Sequence, residues 1–174
     1  MAERTYAHRF STTVDVNVTA ERLFADLDDH EKLAAHMMRS SAMMAGNKMQ
    51  FDFDEAHGRA VGSEMRLFGE MMGLNLEVRE VVTEREPPRR KVWETIGQPH
   101  LLVIGHYRMG FDIQPNGERS KLTAFIDYND PTGAWAPAGW LLGPVYARWC
   151  TLSMVTDAAE TFAATPHSAQ EEAM

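Results

Sequence analysis

Three histidines, His36, His100 and His106, are the side chains of this sequence best suited to acid–base work, because imidazole titrates near neutral pH. His36 closes a short predicted helix beside Met37. His106 is out of phase with Tyr107 and Met109, so alternation turns it away from the apolar face those two share. A packed or solvated histidine is the simpler reading for each. Arg148 flanks the apolar stripe of the last predicted helix, where it could reach Glu70, Glu94 or Asp127. A structural ion pair is one reading of Arg148, and recognition of a ligand carboxylate is the other. His36, Arg148 and Tyr107 are therefore the candidate catalytic residues.

Other chemistries lack their residues. His30 and His36 stand six apart, and no HExxH or paired CxxC occurs, so no metal is expected. The stretch DFDEAHG (52–58) resembles a calcium loop but lacks the downstream ligands. No GxSxG, P-loop or GxGxxG is present, so no cofactor is implied. The single cysteine, Cys150, adjoins Trp149 on the last helix and reads as a buried, inert thiol. It excludes an internal disulfide and points to a reducing compartment, the cytoplasm.

Methionine and aromatic residues suggest a binding surface instead. The protein has 12 methionines, and most lie between Met37 and Met72. Flexible thioethers reshape around varied apolar guests, although they also fill cores. Met37, Met44, Met65, Tyr107, Met109, Tyr128 and Trp149 are the candidate ligand-lining residues. Trp135 and Trp140 precede the last helix in a Gly/Pro-rich stretch; they could form a lid or a membrane-touching tip, but burial against the helix is the favoured reading.

These side chains must be positioned by alternating segments. Residues 8–18 alternate Phe10, Thr12, Val14, Val16 and Val18, a strand pattern. Thr19 then caps an apolar-periodic stretch that Asp28–Asp29–His30 breaks into two short helices, the second capped by Asp28 or Asp29. A short strand lies between the turn signals Gly46–Asn47 and His57–Gly58, a strand pattern with a turn at Gly73 runs from Arg59 to Thr83, and PPRRKVWETIG reads as a proline-bounded turn and a further strand. A hairpin turns at Asn116–Gly117. On its two strands Tyr107, Met109, Phe111, Ile113 and Leu122, Ala124, Ile126, Tyr128 share one face. From Pro144, placed as the first helical residue, Val145, Trp149, Leu152, Val155, Ala159 and Phe162 describe one helical face. Residues 164–174 read as a flexible tail. An antiparallel sheet with one apolar face needs a cover, and the last helix is the only element long enough.

The 174 residues fit one domain, which buries about 70% of its unfolded surface. The net charge of −8 repels a phosphate backbone, so nucleic acid is excluded as a partner. No apolar run spans a membrane, and the N-terminus lacks the apolar core of a signal peptide. Arg85, Arg89, Arg90 and Lys91, beside Pro87–Pro88, read as a solvated turn rather than an anion site. A free sheet edge could pair two copies into a homodimer.

The stretches VDVNVTAERLFADLDDHEKLAAHM, YRMGFDIQPNGERSKLTAFIDY and YARWCTLSMVTDAAETF, with the strands between them, resemble the START-like helix-grip superfamily, specifically its SRPBCC group of polyketide cyclase/dehydrase and lipid transport-like proteins. The resemblance covers about residues 8–163. It implies a single α+β domain over residues 1–174: a curved antiparallel sheet of about seven strands wraps a long C-terminal helix, with two short helices after the first strand. It also implies a cavity between sheet and helix for a small hydrophobic or amphipathic molecule. Binding or transport is the favoured expectation. A cyclase/dehydrase-type enzyme acting on a carbonyl compound is the alternative, and a protein-interaction module is a third.

Overall fold

The computed structural model describes residues 4–32, 49–71, 74–133 and 136–163. His36, Met37, Met44 and Trp135 lie outside the described residues. Seven strands form one sheet: β1 (His8–Val16), β2 (Met49–Phe53), β3 (Glu64–Met71), β4 (Leu74–Glu86), β5 (Arg90–His100), β6 (Tyr107–Asn116) and β7 (Arg119–Tyr128). Their order is β1-β7-β6-β5-β4-β3-β2, and every neighbouring pair is antiparallel. Helix α1 (Ala20–Leu27) follows β1, and α2 (Ala136–Ala163) ends the fold. The architecture is the expected α+β helix-grip: a curved antiparallel sheet holding a long C-terminal helix.

The register explains the curvature and the shared inner face. β4 and β5 slip twice, between Glu77 and Arg79 and between Val82 and Glu84, and such irregularities bend a sheet. Tyr107 pairs with Tyr128, Met109 with Ile126, Phe111 with Ala124 and Ile113 with Leu122, so these residues face inward together. The hairpin turns at Gly117, whose φ of 62° suits glycine.

Two helical expectations need correction. Thr19 occupies the N-cap of α1, but its side chain makes no capping bond. The following turn, residues 30–32, is capped as expected, because the Lys32 amide donates to Asp29 Oδ1 at 3.2 Å. Helix α2 begins at Ala136, not Pro144, which lies inside the helix. Its buried face is also different. Gly143, Ala147, Cys150, Thr151, Met154, Val155, Ala158 and Phe162 are buried, whereas Val145 is 65% and Leu152 37% exposed. The buried positions are mostly small because α2 comes close to β1 and β7. The Thr12 and Thr151 hydroxyls meet at 3.1 Å. A Cβ on Gly139 would fall 2.0 Å from Pro131 Cδ, and one on Gly143 would press the Tyr128 ring at 3.2 Å.

The basic group at residues 85–91 is not simply a solvated turn. Lys91 is fully buried on the inner face of β5. Its ammonium donates to the Asp28 backbone oxygen at 2.9 Å and to Asp28 Oδ1 at 2.8 Å. Arg85 grips the same carboxylate, with Nη2 donating to Oδ2 at 2.8 Å. Burial works against the Asp28 charge, but hydrogen bonds from Arg85 and Lys91 outweigh it and hold the carboxyl below its usual range. This triad pins the end of α1 to the sheet. Asp28→Ala strands the Lys91 charge and is expected to cost about 3–5 kcal/mol in chemical denaturation. Arg85→Ala removes a part-exposed partner and is expected to cost about 1 kcal/mol or less. Equal costs would show that Lys91 is not the group Asp28 exists to compensate.

Candidate functional site

β4 carries Leu76, Val78, Glu80 and Val82 in phase, so a carboxylate interrupts an apolar inward series. The register sets Met65 of β3 and Thr95 of β5 on either side of Glu80. Tyr107, on the inner face of β6, donates its hydroxyl hydrogen bond to Glu80 Oε1. The Trp93 indole N–H supplies a second hydrogen bond. From α2, Tyr146 and Cys150 approach the same place. Tyr146 and Trp149 pack ring to ring at 5.8 Å.

Among the described residues Glu80 has no ion-pair partner. Burial pushes its carboxyl up to about 7, with the Tyr107 and Trp93 donors pulling the other way. Tyr107 is raised well above the phenol range, by burial and then by Glu80. Tyr146 is raised likewise, by the neighbouring Cys150 and by burial. Burial pushes the Cys150 thiol up to about 12, which makes it the inert thiol expected. Glu80 is thus the one member of this cluster that changes charge near neutrality. Glu80, Tyr107 and Tyr146 are each half-buried, whereas Met65, Trp93 and Thr95 beside Glu80 are buried.

The remaining candidates fall into three groups. Met65 and Met109 are buried in the core, beside the cluster. Trp149 is half-buried and packs on the same core. Tyr128 pairs with Tyr107 across the strands, but its ring lies against His8, with centroids 5.0 Å apart, and beside Gly143 of α2. Arg148 is exposed, and among the described residues it makes no ion pair. The pairing with Asp127 expected for it is pre-empted, since Arg9 and Arg108 hold Asp127 at 3.1 and 2.9 Å on the outer face. Helix phase explains this: Arg148 lies between Ala147 and Trp149 and points off the buried stripe. Trp140 is on the helix and 74% exposed, not buried against it.

The other two histidines are also accounted for. His106 accepts or donates a hydrogen bond with Thr95 Oγ1 at 3.1 Å, and burial lowers its pKa. His100 is exposed at the end of β5. His30, not weighed as an acid or base, is buried edge-on to Trp93 at 4.6 Å; among the described residues neither ring nitrogen has a partner, and burial lowers its pKa to about 3. Among the described residues no group of acidic, histidine or cysteine side chains could hold a metal ion. Two open depressions, of about 420 Å³ near Arg4 and Arg108 and about 610 Å³ near Phe68 and His100, are lined without Glu80. Sequence reasoning missed Glu80; the signal was its phase with Leu76, Val78 and Val82.

A carboxyl held above its ordinary value of 4.5 binds its proton more tightly folded than unfolded. Its contribution to stability is full below 4.5 and is lost as pH rises to about 7. Glu80→Gln mimics the protonated form at every pH. The unfolding free energy of the native protein should therefore fall relative to Glu80→Gln by up to about 3 kcal/mol between pH 4.5 and pH 8. A difference that does not change with pH would show that Glu80 titrates as a solvated carboxylate.

Solved structures share this architecture. The Zhui aromatase/cyclase from Streptomyces sp. R1128 superposes with a TM-score of 0.65 at 15% identity, covering 90% of this chain and 93% of that one. A truncated norcoclaurine synthase from Thalictrum flavum gives 0.65 at 12% identity, covering 95% and 99%. A protein from Arthrobacter aurescens gives 0.62 at 12% identity, covering 95% and 92%. At such identities these likenesses show the fold alone. No curated protein matches the sequence. The sequence itself matches one family over residues 7–165, and the chain belongs to it: polyketide cyclase/dehydrase and lipid transport.

Proposed function

We propose that this protein binds a small hydrophobic or amphipathic molecule, such as a lipid, a polyketide or an aromatic metabolite, between the sheet and α2. The observation that carries this reading is that Glu80 and Tyr107, hydrogen-bonded on the inner face of the sheet, stay half-buried while Met65, Val78, Val82 and Trp93 around them are buried. In this reading their exposed surface faces the ligand. The seating of the helix supports it, because among the described residues α2 packs on β1 and β7 more than on β3, β4 and β5. The family, whose description names lipid transport, supports the same class of ligand.

Met65, Tyr107, Met109 and Trp149 line the space in this reading, with Glu80 as its polar point. Binding then draws on buried apolar area, at roughly 25 cal/mol per Å² before the costs of association. Among the described residues no helix is long and apolar enough to cross a membrane, which accords with a carrier that works in water.

Native mass spectrometry of the protein, purified without detergent, is expected to show a retained small-molecule adduct. A fluorescent fatty-acid analogue should bind saturably with a Kd of about 10 µM or tighter. Trp149→Ala should weaken that binding about tenfold or more by removing an aromatic wall. Absence of both adduct and saturable binding would sink the reading.

A further inference from the structure

We propose that the depression of about 420 Å³ on the outer face of the sheet is a second binding site, which takes a phosphate monoester through the guanidiniums of Arg4, Arg9 and Arg108. It lies on the face turned away from α2 and does not depend on the binding reading above.

The protein carries 25 acidic against 17 basic residues, so its arginines have carboxylates to spare. On the other strands they use them. Arg66 pairs with Glu77, Arg79 with Glu64, and Arg90 holds both Glu84 and Asp112. The depression reverses that ratio, since its lining has three arginines and one carboxylate, Asp127. Arg9 and Arg108 share Asp127, and Arg4 donates to the neutral Thr95 carbonyl at 2.9 Å. The acids nearby are already engaged. Asp130 bonds His8 at 3.1 Å, and Glu94, opposite Arg108 in the register, accepts from the Tyr6 hydroxyl at 3.4 Å. Even with Glu94 counted at its border, the depression keeps a positive excess in a protein whose net charge is −8. An anion is the ligand such a lining favours.

The surrounding structure holds these guanidiniums in place. Arg9, Asp127 and Arg108 form one cross-strand row over β1, β7 and β6. Asp127 is buried and fixes both forks: Arg9 Nη1 donates to Oδ1 at 3.1 Å, and Arg108 Nη2 donates to Oδ2 at 2.9 Å. The Arg9 guanidinium also lies over the Phe125 ring, 4.8 Å from its centroid. That ring has room because its partner on β6 is Gly110, where a Cβ would come 2.9 Å from Phe125 Cζ. Residues 4–7 supply the other wall and are tied to Asn129. The Ala7 amide donates to Asn129 Oδ1 at 2.8 Å, and Asn129 Nδ2 donates to the Thr5 carbonyl at 3.2 Å. Among the described residues Arg9 Nε and Nη2 and Arg108 Nη1 have no partner, so donors remain for a guest. One fork suits a carboxylate; guanidiniums from three segments suit the several oxygens and the double charge of a phosphate monoester. The volume of about 420 Å³ admits that group with a small organic body attached.

The test titrates inorganic phosphate, phenyl phosphate and benzoate into the full chain by calorimetry at low ionic strength, while amide NMR locates each response. Phenyl phosphate is expected to bind saturably with a Kd of about 1 mM or tighter, and benzoate about tenfold or more weakly than that. Inorganic phosphate should perturb the same amides, and added salt should weaken both phosphates. The perturbed amides should cluster at residues 4–9 and at Arg108. Arg9→Gln and Arg4→Gln should each weaken phenyl phosphate about tenfold. Arg66→Gln, at an arginine paired with Glu77 elsewhere, should leave it unchanged. The Arg9→Gln amide can still donate to Asp127; if that variant does not fold, Arg4→Gln and the map of perturbed amides decide. Absence of saturable binding by either phosphate overturns the site. So does binding that neither arginine variant weakens, a response centred on the face toward α2, or benzoate binding as tightly as phenyl phosphate. None of these outcomes touches the carrier reading, which the fatty-acid analogue tests separately.

Discussion

The close seating of α2 against β1 and β7 is the constraint on which the rest of this structure depends. It is achieved with small side chains: Gly139, Gly143, Ala147, Thr151 and Ala158 let the helix approach, and Thr12 touches Thr151 across the contact. A helix drawn to one side of a curved sheet stands farther from the other side. Larger groups from β4, β5, β6 and α2, among them Glu80, Trp93, Tyr107 and Tyr146, occupy that wider side. The polar cluster therefore sits on the side of the sheet away from the close α2 contact, where among the described residues Glu80, Tyr107 and Tyr146 keep partial exposure.

The interior charges divide by the same geometry. Where packing is tight, every charge is matched. Lys91 takes both oxygen types of Asp28, and Arg85 completes the pair from the rim. Removing Asp28 or Lys91 there strands the other, whereas Arg85 is the dispensable third partner. On the wider side Glu80 is instead satisfied by neutral donors, a phenol and an indole. Neutral donors orient a carboxylate without cancelling its charge, and they leave its proton affinity near the solvent pH. An ion pair in that place would have fixed Glu80 as a permanent anion and removed its capacity to exchange a proton.

Much of the fold was legible in the sequence because strands and hairpins declare themselves locally. The alternation at Tyr107–Ile113 and Leu122–Tyr128 gave the shared inner face that the structure shows, while the turn falls at Gly117–Glu118, one residue past the Asn116–Gly117 expected. Helix α2 was less legible. Its first turns, rich in Gly and Pro, have poor helix propensity, and contact with Pro131, Val103 and Tyr128 overrides that. Its face was misjudged because the largest apolar residues were assigned inward, whereas a close contact selects small ones: Val145 and Leu152 face out while Ala147 and Thr151 face in. The site was the least legible part. Histidines drew attention by their solution pKa, but His100 and His106 stay outside the cluster. Glu80 has an ordinary solution pKa, and only its phase with Leu76, Val78 and Val82 betrayed it.

The triad and the site are coupled through Trp93. Lys91, Trp93 and Thr95 alternate on the same inward face of β5, so a buried ammonium lies two positions from the residue that bonds Glu80. A cation that close would lower the Glu80 carboxyl if it were free to turn toward it. Two bonds to Asp28 commit it in the other direction, and the Trp93 ring, edge-on to His30, occupies the intervening face. His30 stays neutral there, so it adds no second cation. The ion triad thus does more than anchor α1. By committing Lys91 to Asp28, it keeps that cation from Glu80, whose carboxyl burial holds above its ordinary range.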